Sequence, residues 1–178
     1  YRDPFILCLN LNTNGNVKCL NKIKNIIYRS FKSNLLNNNY TFSSINMAEV
    51  PIKDLLEKVI IFTSGGYENS QLEELVNYSW DKQEINKISY GALDPLVPDS
   101  DAIKYSSDSL RDFNKNNMTM VVPKEFSLAT SNYNPQYAWD SGCQLVFINY
   151  NKADANYDSY LTKFRNDSFL PKPDQLLN

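Results

Sequence analysis

The chain has 178 residues, 42% apolar and 13% aromatic, with 18 Lys and Arg against 20 Asp and Glu and a formal charge of −2. That is enough apolar material for one sizeable core, and the lack of a basic run argues against nucleic acid as a partner and lends no compositional support to membrane-surface attraction. No apolar stretch approaches the roughly 20 residues of a membrane span.

Phe5 to Leu9 is a short apolar run of strand length. After the turn signal Asn14-Gly15, the residues Val17, Leu20, Ile23, Ile27 and Phe31 recur at helical spacing. The Asn-rich run around Asn34 to Asn39 reads as a solvated loop. Lys58 to Phe62 predicts a second strand, Gln71 to Trp80 a helix with Leu72, Leu75 and Val76 on one face, and Ile85 to Tyr90 a third strand. Beyond Pro95 and Pro98, either Asp99 or Ser100 can cap a helix carrying Ile103, Leu110 and Phe113. Met118 to Val122 and Cys143 to Tyr150 supply two more strands.

Five strands alternating with helical segments predict an α/β fold with a mainly parallel sheet, either doubly wound or part of a (β/α)₈ barrel. In both, chemistry sits at the C-terminal ends of the strands. Those ends are Asn10, Phe62 with Ser64, Ser89 and Tyr90, Val122, and Asn149 with Tyr150.

Three cysteines, Cys8, Cys19 and Cys143, form no CxxC pair, so neither a disulfide framework nor a zinc site is indicated and a reduced cytoplasmic setting is expected. No base accompanies Cys143, which reads as a buried structural thiol. Gln144 is expected to satisfy buried backbone groups. The acidic residues Asp99, Asp101 and Asp108 read as a solvated helix start favoured by the macrodipole rather than a metal site.

The stretch SNYNPQYAWDSGCQLVFINY, Ser131 to Tyr150, closely resembles the Y half of eukaryotic phosphoinositide-specific phospholipase C barrels. Ser131, Asn132, Tyr133, Pro135, Trp139, Gly142, Cys143, Gln144 and Asn149 carry the match. FLPKPDQLL, Phe169 to Leu177, resembles the family's closing segment, PFILCLN its fourth strand, and LLEKVIIFTS the end of its X half. The resemblance divides a single partial domain into residues 1–66, similar to the end of the X region, and 67–178, similar to the Y region. It implies the C-terminal half, about five strands, of a TIM-like (β/α)₈ barrel.

The family hydrolyses phosphatidylinositol phosphates with Ca²⁺ and two histidines, groups suited to proton transfer near neutral pH and to charge developing on phosphorus. This chain has no histidine, but in the family both histidines and most calcium ligands lie on the first three strands, before the segment that PFILCLN resembles. At the family's calcium-ligating glutamate stands Asn10, a neutral amide of weaker affinity. The two phosphate-binding lysines fall on Phe62 and Ser64, and the substrate arginine and tyrosine on Met120 and Val122, none of which neutralises a phosphate or stacks on an inositol ring. Ser89 matches the family's serine.

A packing motif kept while the charged site is replaced implies a catalytically inactive barrel, with no catalytic residue and no cofactor of its own, acting as a scaffold or a weak phosphoinositide-binding module. The alternative is a divergent Ca²⁺-dependent phosphodiesterase whose histidines and metal ligands lie in a missing N-terminal half. The expected partners are that missing barrel half, in cis or from another chain, protein partners in an assembly, and membrane phosphoinositides. The expected location is cytoplasmic and peripheral to the membrane.

Overall fold

The computed structural model describes residues 2–90, 107–123 and 131–177. Its contacts divide the chain into two compact units, residues 1–85 and 86–178.

In the first unit, β1 (Phe5–Leu9) and β2 (Val59–Thr63) run parallel with Phe5 opposite Val59 and Leu9 opposite Thr63, and β3 (Tyr78–Ser79) adds parallel to β2. Helix α1 (Val17–Phe31) starts where the Asn16 side chain accepts from the Cys19 amide at 3.1 Å, a side-chain cap for one of the orphan N–H groups. Its buried Leu20 and Ile27 meet Val59 and Ile61 of β2, with Tyr67, Leu72 and Val76 completing the core. All five residues of β2 are buried, whereas β1 is an outer strand with none of its residues fully buried.

Gln71 to Trp80 is not the expected helix. Gln71–Leu75 makes a 3₁₀ turn capped by Ser70, and the chain then pairs with β2. The apolar spacing is real, since Leu72 and Val76 enter the core. The helix ends because the Asn77 amide donates to Ile61 O at 2.9 Å, its Oδ1 accepts from Ile61 N at 2.9 Å, and Trp80 N donates to Thr63 O at 3.1 Å. A parallel edge with unpaired donors and acceptors outcompetes a marginal helix. Asn77 Nδ2 also holds the Asn-rich loop through Asn37 O and Tyr40 O. The Tyr78 hydroxyl donates to Ile45 O and accepts from Met47 N at 2.8 Å.

The second unit pairs β4 (Asn86–Ser89), β5 (Thr119–Val122) and β6 (Leu145–Val146), all parallel, in that order. Ile88, Tyr90, Leu110, Val121, Ala138, Cys143 and Ile148 form its core, against which α2 (Ser107–Asn116) packs Leu110. Asp99, Ser100, Asp101 and Ile103 lie outside the described residues, and Phe113 is exposed. The expected strand at Cys143 to Tyr150 is regular only at Leu145–Val146, although Gln144 N and Phe147 N still donate to Thr119 O and Val121 O of β5. It ends because Asn149 N turns to the Asn132 side chain at 2.6 Å.

Asn132, Trp139, Gly142 and Gln144 of the Ser131–Tyr150 stretch each have a mechanical task. Asn132 Nδ2 donates to Asn149 O and Lys152 O at 3.1 and 3.0 Å. Its backbone N–H donates to Asp154 Oδ2 at 2.7 Å, and Asp154 caps α4 (Ala155–Lys163) by accepting from Tyr157 N at 2.9 Å. Trp139, in α3 (Gln136–Asp140), packs its ring 6.1 Å from Tyr160 and 5.9 Å from Phe164, with Lys163 Nζ 4.6 Å from its centroid. Gln144 spans a helix end and a strand start as expected: its Oε1 accepts from Thr119 N at 2.7 Å and its Nε2 donates to Asn117 O at 3.0 Å. Gly142 has φ +71° and a Cβ there would overlap Leu176 Cδ1, so glycine is required on two counts.

Gly142→Ala therefore loses about 2 to 3 kcal/mol, from the left-handed backbone and displaced Leu176 together. Gly15→Ala, at the same φ of +71° but with open space around it, loses about 1 kcal/mol. Urea midpoints of the two variants separate the terms. Asp154 supplies a second check. Backbone N–H groups, that of Asn132 foremost, hold its carboxyl below the ordinary value of 3.8. The stability this contributes is present above that value and lost as the pH falls through the lower native one. The gap in urea midpoint between the parent and Asp154→Ala is constant down to about pH 5 and narrows below the ordinary carboxylate range.

Candidate functional site

In a parallel α/β sheet the C-terminal ends of the strands collect the loops that can carry chemistry. In the first unit these ends bring Asn10, Phe62 and Ser64 together. Asn10 is exposed directly after β1, and the residues on either side of it are tied to Ser64: Ser64 N donates to Leu9 O at 3.0 Å, and Ser64 Oγ accepts from Leu11 N at 2.7 Å. The hydroxyl of Ser64 is thus occupied in joining two loops. Phe62 is fully buried, opposite Cys8 in register, with its ring 5.9 Å from that of Tyr78.

Just beyond Ser64 lie two successive backbone donors, an arrangement that suits an anion. Both are taken by carboxylates of this chain. Gly65 N donates to Asp81 Oδ2 at 2.9 Å and Gly66 N to Glu68 Oε2 at 3.0 Å. Gly66 takes φ +85°, in the left-handed region that favours glycine. Glu68 in turn pairs with Lys82 at 3.4 Å, whose ammonium sits 4.5 Å from the Tyr67 ring centroid. Ser79 N donates to a third carboxylate, Glu84 Oε2, at 2.6 Å.

In the second unit, strand alternation places Ser89, Met120 and Val122 on the face of the sheet away from the core of Ile88 and Val121. Ser89 lies opposite Val122, and Met120, buried, lies between Lys87 and Leu145. Ser89 and Val122 are half-buried. Met120 and Val122 thus bring two apolar side chains to this face, and neither is a cation or a ring that can stack. Lys87 brings a positive charge to this same face. Its signal was the alternation in Asn86-Lys87-Ile88-Ser89, which puts Lys87 and Ser89 on one side.

The other strand ends are structural. Tyr90 is buried and stacks on Tyr133 at 5.1 Å, Asn149 is held by Asn132, and Tyr150 packs edge-on against Tyr157 and Tyr160. Burial pushes the Cys143 thiol up to about 12 and the Cys8 thiol up to about 11, so neither supplies a thiolate near neutral pH. Calcium takes six to eight oxygen ligands, carboxylates prominent among them. Among the described residues no group of three His, Cys, Asp or Glu side chains is placed to hold a metal ion.

Asp81, Glu68 and Glu84 escaped sequence reasoning. Asp81 meets Gly65 across 16 positions, a separation that no local pattern encodes. The Thr63-Ser64-Gly65-Gly66 run after a predicted strand was the available signal for a turn with open donors.

Residues 67–175, more than half of the chain, match the family model described as phosphatidylinositol-specific phospholipase C, Y domain. A 1-phosphatidylinositol 4,5-bisphosphate phosphodiesterase of Drosophila melanogaster is 35% identical over 75 residues, covering 40% of this chain and 7% of that protein. The beta-2 enzyme of that name from Homo sapiens is 29% identical over 87 residues, 44% of this chain and 7% of the other. The matched segments thus span a small part of these relatives' length. The crystal structure of L. pealei PLC21 superposes with a TM-score of 0.73 at 21% identity, covering 98% of this chain and 27% of that one, and S. officinalis PLC21 gives 0.72 at 20% over the same shares. This likeness gives the fold, an α/β chain forming part of a TIM-like (β/α)₈ barrel. No helix among the described residues is long and apolar enough to cross a membrane. With its parallel strands, its Trp139 and Gly142-Cys143-Gln144 packing motif and the match over residues 67–175, the chain belongs to the phosphatidylinositol-specific phospholipase C family, whose Y domain it carries.

Proposed function

We propose that this chain is a catalytically inactive phospholipase C-like barrel segment that serves as a scaffold and binds phosphoinositide headgroups weakly. The observation that carries this reading is the end of β2. There Phe62 and Ser64 offer no cation, and the donors Gly65 N and Gly66 N are already bonded to Asp81 and Glu68. A phosphate approaching this turn meets two carboxylates and must displace both to reach the amides, losing two charge-assisted hydrogen bonds. The apolar pair Met120 and Val122 on the second sheet supports the same reading.

The chain is one partial domain in this proposal, with residues 1–66 serving as the end of the X region and residues 67–178 as the Y region. Its first partner is the remainder of the barrel, in cis or from another chain. The outer strand β1, with Phe5 52% exposed, supports that pairing, since an apolar strand with an unpaired edge calls for a neighbour. Other protein partners in an assembly, and a cytoplasmic position peripheral to the membrane, complete the reading.

The test is an assay of inositol phosphate release from phosphatidylinositol 4,5-bisphosphate micelles with Ca²⁺. The purified chain releases no more than a protein-free blank, and calcium-dependent turnover overturns the proposal in favour of an active phosphodiesterase. A second measurement addresses the carboxylates. The double variant Asp81→Asn, Glu68→Gln binds inositol 1,4,5-trisphosphate about tenfold more tightly than the parent, and equal binding shows that the carboxylates do not exclude the phosphate.

A further inference from the structure

The chain is acidic as a whole, but its charge is unevenly placed. Helix α1 carries four of the 18 Lys and Arg residues, Lys18, Lys22, Lys24 and Arg29, and none of the 20 Asp and Glu. No Asp or Glu occurs between Asp3 and Glu49. At 3.6 residues per turn Lys18, Lys22 and Arg29 fall within about 40° of arc, on the side of the helix opposite the buried Leu20 and Ile27. They form a line about 16 Å long. All three are exposed, and among the described residues none has an ion-pair partner. Lys24 lies nearer the core and is the member of the set that is neutralised, by Glu74 at 3.3 Å.

Beside this line, one turn after Lys22, projects Ile26, which is 65% exposed. Tyr28 and Val17, 53% and 43% exposed, flank the opposite side. An unpaired basic line interleaved with exposed apolar groups on one helix is the composition of an interfacial surface. Average composition hides it, because the acidic residues elsewhere cancel the sum.

We infer that the outer face of α1 docks on an anionic lipid surface, independently of the strand-end site. Three features select this occupant. The cations share one narrow arc on the outward side of the helix, so all three meet a flat array of phosphates and carboxylates at once. The charge is complementary and nothing in the described chain competes for it. Ile26 sits where an acyl boundary can receive it, whereas a nucleic acid backbone offers the same charge but no apolar phase.

The experiment is co-sedimentation of the 178-residue chain with vesicles of phosphatidylcholine alone or with about 30 mol% phosphatidylserine, a fraction like that of an anionic leaflet. No inositol lipid is included, so binding at the strand ends does not contribute. The parent sediments with the phosphatidylserine vesicles and not with phosphatidylcholine alone. Lys18→Gln, Lys22→Gln, Arg29→Gln together lower the partition coefficient about a hundredfold, near fivefold per charge. The charge-conserving set Lys18→Arg, Lys22→Arg, Arg29→Lys retains it, and circular dichroism reports the fold of each protein. Ile26→Gln weakens binding to the same vesicles severalfold. Equal partition of the parent onto both vesicles, unchanged binding by the glutamine set, or loss of binding in the charge-conserving set overturns the proposal. Uptake of polyuridylic acid or polyglutamate without binding to vesicles overturns the lipid assignment.

Discussion

The second unit depends on one buried amide. Asn114 is fully inaccessible, yet every polar function it carries is engaged. Its Nδ2 donates to Ser141 O at 2.7 Å and lies 3.6 Å from Cys143 Sγ, its Oδ1 accepts from Thr119 Oγ1 at 2.6 Å, and its backbone carbonyl receives Lys172 Nζ at 2.5 Å. The end of α2, the start of β5, the turn at Gly142 and the C-terminal segment thus converge on one residue, the first three through its side chain and the last through its backbone carbonyl. A buried amide with even one function unsatisfied costs about 1 to 3 kcal/mol, so these four pieces fit one mutual arrangement or leave the penalty standing. Gln144 repeats the device one step away by bridging Asn117 O and Thr119 N. The Gly-Cys-Gln triplet is therefore best understood as a joint.

The first unit is organised around β2, whose five residues are all buried. Such a strand must satisfy its backbone on both edges, and it does so with β1 on one side and the short β3 on the other. At its far end the chain turns through two glycines, where the free N–H groups need acceptors. Asp81 and Glu68 meet that need. Polar satisfaction and electrostatic character are coupled here, because the groups that complete the fold of the turn also bring carboxylate charge to it.

Much of this was legible in the residues. The boundaries of β1, α1 and β5 follow from an apolar run, a 3.6-residue repeat and a second apolar run, and the structure places them at Phe5–Leu9, Val17–Phe31 and Thr119–Val122. The task of Gln144 was legible because an amide beside a buried strand start has backbone groups to satisfy. Gln71 to Trp80 was misread since a single turn of apolar spacing is compatible with both a 3₁₀ turn and a helix, and the partner that decides, Ile61, is remote in sequence. The contacts of Asp81 with Gly65 and of Asn132 with Asn149 are equally non-local. Phe62, Ser64, Met120 and Val122 are candidate positions by the family resemblance, and what fills the space around them needed coordinates.

The carboxylate of Asp81 on Gly65 also bears on what a cation added to this turn would do. A lysine placed at position 64 would find Asp81 and Glu68 at hand and pair with them, and one placed at position 62 would have to displace an aromatic contact with Tyr78 inside a packed layer. Neither change by itself would present a free ammonium to a ligand. The acidic contacts thus act as an internal sink for positive charge: a cation introduced here is neutralised within the chain unless Asp81 and Glu68 are replaced along with it.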